Sequence, residues 1–345
     1  MSEKPFKTYN SQLKILRDRN ITIKDGSKVK KILKNENYYN IINGYKNIFL
    51  DDVMTKERGD DYYKDNVDFF NIYALYTFDR NMRNILMKYL LIIENSIKTK
   101  IAYFFSEKYQ KEEFPYLNVN NFNDDDLQRN TKVISILSSV IHDNISTSKG
   151  KNTSLLHYIS NHKSLPLWVL IKKITFGQIL PLFDSLDNDL KEKIKSEILS
   201  DYFSDYKLFK SSNPDYETIL RESVDSFNLS HIIFFLKEFR NICAHEGRLY
   251  DFKCFKRSNK IPQITYNFYH NNTNLVFSSK LFDVILISKV FLPKKDFKQF
   301  LKSVELELNQ LEIDIGGKNL FNKINTDMNF PKEWKNVAIN GKFDK

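Results

Sequence analysis

Two cysteines in 345 residues are too few for a disulfide framework, and nine glycines leave no phosphate-cradling loop of the P-loop or dinucleotide-binding kind. Secreted disulfide scaffolds and nucleotide hydrolases of those types are poor readings of this chain. The sequence has no long uncharged apolar span and no apolar leader-like stretch near its start. The expected setting is therefore reduced and cytoplasmic, away from a membrane. Five of the six histidines (His142, His157, His162, His231 and His270) show no paired helical or finger spacing with cysteine or carboxylate. No metal site and no cofactor are expected from them.

What the chain does have is basic charge, distributed unevenly. The formal net charge is +10, with residues 1–50 carrying +7, residues 51–250 about −3 and residues 251–345 carrying +6. Phosphate contacts supply most sequence-independent affinity for nucleic acid, so this distribution predicts RNA gripped through the two ends of the chain. Lys28, Lys30, Lys31 and Lys34 fall on a short helix expected to be capped by Asp25 or Ser27, and Tyr38 and Tyr39 follow with Tyr45 and Phe49. Aromatic rings beside a basic helix suit unpaired bases. The spacing of Tyr38, Ile41, Ile42 and Tyr45 also suits an ordinary packed helical face, which is the preferred reading of these rings.

The run Phe239 to Tyr250 concentrates the chemistry. Leu229, Ile232, Ile233, Leu236, Phe239 and Ile242 recur at three- and four-residue steps, the pattern of an amphipathic helix. Asn241 and His245 then share one face, with Arg240 flanking them near the helix end, where Gly247 suits the left-handed residue that closes many helices. Cleavage of RNA without a metal needs a base for the ribose 2′-hydroxyl, an acid for the leaving 5′-oxygen and positive charge on the phosphate. Histidine titrates near neutrality and arginine donates paired hydrogen bonds to phosphate oxygens. One imidazole does not serve as acid and base together, so two motifs facing each other in a two-fold homodimer are expected. The same spacing also fits a histidine that merely closes a helix. Cys243 lies among Phe239 and Ile242 and reads as a small packed hydrophobe rather than a nucleophile.

These residues resemble the RNA-cutting motif of the Abi_2 family of bacterial abortive-infection proteins (the AbiD/AbiF group) within the HEPN superfamily. The motif is Arg240-Asn241-Ile242-Cys243-Ala244-His245, followed by Arg248-Leu249-Tyr250. Further blocks resemble the family in order: Lys4-Pro5-Phe6 with Thr8-Tyr9, Leu13, Leu16 and Arg19, then Asn37-Tyr38-Tyr39 with Gly44-Tyr45. Phe78-Asp79-Arg80, Ile93-Glu94, Leu165-Pro166-Leu167-Trp168 with Phe176-Gly177, and Phe330-Pro331 with Trp334 complete the series. Two positions depart from it, Asn40 and Lys98, each standing where arginine is common. The resemblance implies an all-α HEPN-type bundle, action on RNA during phage infection, arrest or death of the infected cell and, for some members, a small noncoding RNA partner. It implies catalytic roles for Arg240, Asn241 and His245, and supporting ones for Glu94, Lys98 and Arg248, with Glu94 near the motif helix. An RNA-binding effector that holds a noncoding RNA without cutting is the alternative expectation.

Helical periodicity organises the rest. Residues 69–109 predict one long buried helix through Ile85, Leu86, Tyr89, Leu90, Ile92, Ile93, Ile97, Ile101 and Phe105. Glu94 and Lys98 stand four apart in the favourable acid-first order. Residues 110–164 read as loop insertions, with exposed connections at 121–126 and 146–154 around a helix at 127–141. A helix over 165–182, bent at Phe176-Gly177, is expected to face the core with Trp168, Leu170, Ile171, Ile174, Phe176 and Ile179. Only Ile264 to Tyr269 with Phe277 has any β character. The expected organisation is a basic helical module at 1–50 that binds RNA, a helical core at 51–290 and a basic helical extension at 291–345.

Overall fold

The structure, a computed structural model, describes residues 5–146, 154–162, 164–208, 214–255, 264–266 and 275–340. Lys4, His270, the middle of the 146–154 connection and residues 267–269 lie outside the described residues. Among those described, every regular element is helical, and β-type pairing is limited to two isolated bridges, Thr22 with Asp68 and Leu50 with Tyr63. The fold is all-α. No helix among the described residues is long and apolar enough to cross a membrane.

The chain divides into two compact units, each assembled from separate stretches of sequence. One comprises Met1–Ile85, Ile242–Phe252 and Leu301–Pro331; the other comprises Leu86–Asn241, Lys253–Phe300 and Lys332–Lys345.

In the first unit, helices Tyr9–Asp18 and Gly26–Glu36 start at side-chain caps, where Thr8 accepts from Ser11 N–H and Asp25 from Lys28 N–H at 2.9 Å. Each cap satisfies an N–H that the first helical turn leaves without a backbone partner. Leu13, Leu16, Val29 and Leu33 turn inward from the two helices. The start of the long helix Phe69–Lys108 is tied to the C-terminal stretch by two amides, Asn71 Nδ2 donating to Asp314 O at 3.1 Å and Asn81 Nδ2 to Glu307 Oε2 at 3.0 Å. Arg80, Tyr76 and Glu36 close the same unit, with both donors 2.8 Å from the Glu36 carboxylate.

The second unit is built around helix Leu281–Phe291, in which every residue is buried. Burying its eight large apolar side chains contributes on the order of 1.5–3 kcal/mol each. Its Lys289 ammonium donates to Ile339 O at 2.6 Å and lies over the rings of Tyr202 and Tyr206. Burial pulls its pKa down to about 8. The later turns of the long helix belong here, with Leu86, Tyr89, Leu90, Ile93, Ile97, Ile101 and Phe105 buried as their spacing predicts, whereas Ile92, and Ile85 in the first unit, are only half-buried.

Four local expectations are corrected. The break between residues 165 and 182 falls at Ile174 and Thr175 rather than at Phe176-Gly177, because Thr175 N–H donates to Gln178 Oε1 at 2.7 Å and starts the new helix Phe176–Ser185. Trp168 is 51% exposed rather than core-facing, since the short helix Leu167–Leu170 turns Leu167, Val169 and Leu170 inward instead. The 121–126 connection is not simply exposed: Asn121 and Phe122 are buried, and Asn123 Nδ2 donates to the carbonyls of Asp184 and Leu186 at 3.0 and 3.1 Å. Ile264 to Tyr266 form no strand.

Candidate active site

The motif rides on helix Leu229–Ala244, whose apolar stripe buries Leu229, Ile232, Ile233, Leu236 and Phe239. That burial sets which face remains for chemistry. Arg240, Asn241 and Ile242 are half-buried, and Ala244 and His245 are exposed. The helix closes through Gly247 N–H donating to Ile242 O at 3.0 Å, and Glu246, not Gly247, takes the left-handed conformation with φ 54°. Gly247 is small for a different reason: a Cβ there would meet Ile242 Cδ1 at 3.1 Å.

In the second unit, Arg240 points at a carboxylate. Glu94 Oε1 accepts from Lys98 Nζ at 2.6 Å, and Lys98 Nζ also donates to Ile174 O at 2.6 Å. Glu94 Oε2 lies 3.7 Å from Arg240 Nε, within ion-pair range but beyond a hydrogen bond. Both of these atoms are shielded from solvent and have no hydrogen-bond partner among the described residues. Glu94 thus holds two cations on one nearly buried carboxylate, and 27% of the Arg240 side chain remains exposed. Glu94, Lys98 and Arg240 are brought together as the resemblance implies. The Lys98 ammonium is enclosed by its own partners, so this lysine is committed to Glu94 rather than presented at the surface.

In the first unit, the segment that follows His245 is clamped by Asp79 and Arg83, which the sequence alone did not mark as site residues. Asp79 has no exposed surface, and its carboxylate accepts from Tyr45 Oη at 2.7 Å, Arg83 Nη1 at 2.6 Å, Leu249 N–H at 3.0 Å and Tyr250 N–H at 2.7 Å. Arg83 Nη1 also donates to Gly247 O at 3.1 Å. Burial pushes the Asp79 carboxyl above the usual range, opposed by the Leu249 N–H, Tyr45, Arg83 and the Tyr250 N–H. The signal was legible in principle, because Asp79 and Arg83 form an acid-first pair four apart beside the buried Phe78 and Met82. Arg248 is held by local partners, donating to Asp251 Oδ1 at 2.7 Å and Gly44 O at 2.8 Å, with 35% of its side chain exposed. Cys243 is packed, and burial raises its thiol to about 12, well above the range of a nucleophilic cysteine.

The basic helix forms a separate group. Lys28, Lys31 and Lys34 are exposed and Lys30 is half-buried, but the Lys28 ammonium lies 4.8 Å from the centre of the Phe70 ring. Tyr39 is exposed and Tyr38 half-buried, whereas Tyr45 and Phe49 are buried. The packed-face reading therefore holds for Ile41, Ile42 and Tyr45, and base stacking is open only to Tyr38 and Tyr39.

A family model describing Abi-like proteins matches residues 31–251, a span that holds Asp79, Glu94, Lys98 and the whole motif. The chain belongs to the Abi-like protein family. That membership supports an abortive-infection role. No curated protein and no solved structure matches the chain. Within this Abi-like protein, the matched span ends at Asp251, the partner of Arg248 and the residue next to the Asp79-bound Tyr250 N–H.

Proposed function

We propose that this Abi-like protein is a metal-independent endoribonuclease of the HEPN type that acts in the cytoplasm during phage infection. The observation that carries this reading is Arg240 and Asn241 at the end of a helix with His245 exposed just beyond it, the arginine steered by a shielded carboxylate. Arg240 clamps the scissile phosphate through charge-assisted hydrogen bonds. His245 moves protons, and Asn241 orients the phosphate or the imidazole. Attack by the 2′-oxygen on phosphorus expels the 5′-oxygen, so the products carry 2′,3′-cyclic phosphate and 5′-hydroxyl ends. Two chains, each contributing one imidazole, supply base and acid in one site. The basic ends, residues 1–50 and 251–345, hold the RNA.

The test is cleavage of total RNA by the purified protein in excess chelator, with analysis of the new ends. His245→Ala is expected to lower the rate by roughly 10²- to 10⁴-fold. Cutting at the wild-type rate by this variant would remove the assignment. A second reading is favoured by the Glu94 contact itself, since a guanidinium nitrogen shielded against a carboxylate also suits a structural role. On that reading the protein is an RNA-binding effector held with a small noncoding RNA. Uniform, uncut RNA of one size copurifying with both wild type and His245→Ala would select it.

A further inference from the structure

Three cavities stand out among the described residues, and their charge separates them. One of about 310 Å³ in the first unit is lined by Glu307 and Asp314, and one of about 470 Å³ in the second by Glu192, Glu197 and Glu217 together with Lys193 and Arg221. The third, about 550 Å³, lies in the first unit beside helices Tyr9–Asp18 and Gly26–Glu36 and has no carboxylate in its lining. Its volume falls within the roughly 300–1,000 Å³ of small-ligand pockets. Its walls carry two ammonium groups, Lys7 and Lys34, and three rings, Phe6, Tyr9 and Tyr38. Phe6 is 89% and Tyr9 43% exposed, so two of those rings are accessible from solution.

We propose that this cleft, lined by Phe6, Lys7, Tyr9, Gln12, Lys34 and Tyr38, is a binding subsite for an unpaired base of single-stranded RNA. The inference rests on the reading that the protein acts on RNA and names where the strand is held. A base stacks on an aromatic ring whatever its identity, and its phosphates need cations without carboxylates nearby. Both conditions meet only here among the three cavities. Gln12 adds a polar contact. Its Nε2 donates to Lys7 O at 3.1 Å and fixes the amide in the wall of the cleft. Lys30 stands one helical turn before Lys34 and extends the positive track along one face of the helix. Duplex RNA does not fit this chemistry, because its bases are stacked and paired and present no free face to the rings. Phe6, Lys7, Tyr9 and Gln12 all precede the span matched by the family model, which begins at residue 31.

The experiment uses the full chain carrying His245→Ala, so that binding is read without cutting, and fluorescence anisotropy with a labelled single-stranded uridine 12-mer. The paired arms are an RNA duplex of the same length and poly-glutamate as competitor. Adding Phe6→Ala or Tyr9→Ala is expected to weaken single-strand affinity about 10-fold with an unchanged dependence on salt. Adding Lys34→Gln is expected to reduce the slope of log affinity against log salt by about one phosphate contact. Because Phe6 and Lys34 project into solvent, circular dichroism melts of those variants should overlay the parent. Single-strand affinity unchanged in Phe6→Ala, Tyr9→Ala and Lys34→Gln would overturn the proposal. So would equal affinity for the duplex, or displacement of the 12-mer by poly-glutamate at equal charge. A protein that binds the 12-mer through this cleft but never cuts RNA with its native His245 would defeat the nuclease reading alone.

Discussion

Glu94 is the residue on which the charge balance of the motif turns. Its two oxygens face two cations, Lys98 and Arg240, in surroundings where all but 8% of the Glu94 side chain is buried. Removing one member of a buried pair strands the other's charge, and this costs more than the pair contributes. Glu94→Gln should therefore destabilise the protein by about 3 kcal/mol. Glu94→Gln with Lys98→Met should recover part of that loss, because the stranded ammonium is gone. Urea midpoints for wild type, both single variants and the double variant measure the coupling, and simple additivity would disprove it. The pairing of Glu94 with Lys98 was legible from four-residue spacing on one helix. The approach of Arg240 was implied by family resemblance and not by spacing, since 146 positions of sequence separate it from Glu94.

At the scale of elements, the segment after His245 owes its shape to another helix. Leu249 and Tyr250 direct their backbone N–H groups at Asp79, and Gly247 O receives Arg83. A loop whose backbone groups are satisfied by a buried carboxylate is held far more firmly than one solvated by water. Asp79→Ala would orphan two N–H groups, the Tyr45 hydroxyl and the Arg83 charge together. The expected cost is at least about 3 kcal/mol. Native-state hydrogen exchange should show the Leu249 and Tyr250 amides losing protection before the Ile232–Phe239 core of the motif helix does. Equal protection in variant and wild type would refute the clamp. Periodicity identified the helices on both sides of this contact. It said nothing of the contact itself, because a carboxylate that binds backbone N–H groups leaves no pattern at the receiving positions.

At the scale of the molecule, the proposed chemistry requires two chains. Light scattering should give twice the 41.0 kDa of one chain, and cleavage per chain should fall on dilution as the dimer dissociates. A monomer with undiminished activity would contradict the shared site. What the sequence determined by itself was local and periodic: the helical class, the apolar stripes of the long helix and motif helix, a cap at Asp25 or Ser27, and the motif of Arg240, Asn241 and His245. These are set by interactions within a few residues, where spacing and side-chain type suffice. Tertiary structure decided the rest. It gathered each compact unit from three separate stretches of chain, turned Trp168 outward, buried Tyr45 against Asp79 and brought Glu94 to Arg240. Such outcomes depend on which distant groups can share a dry interior without leaving a charge or an N–H unpaired, and that condition is met only when the whole chain has packed.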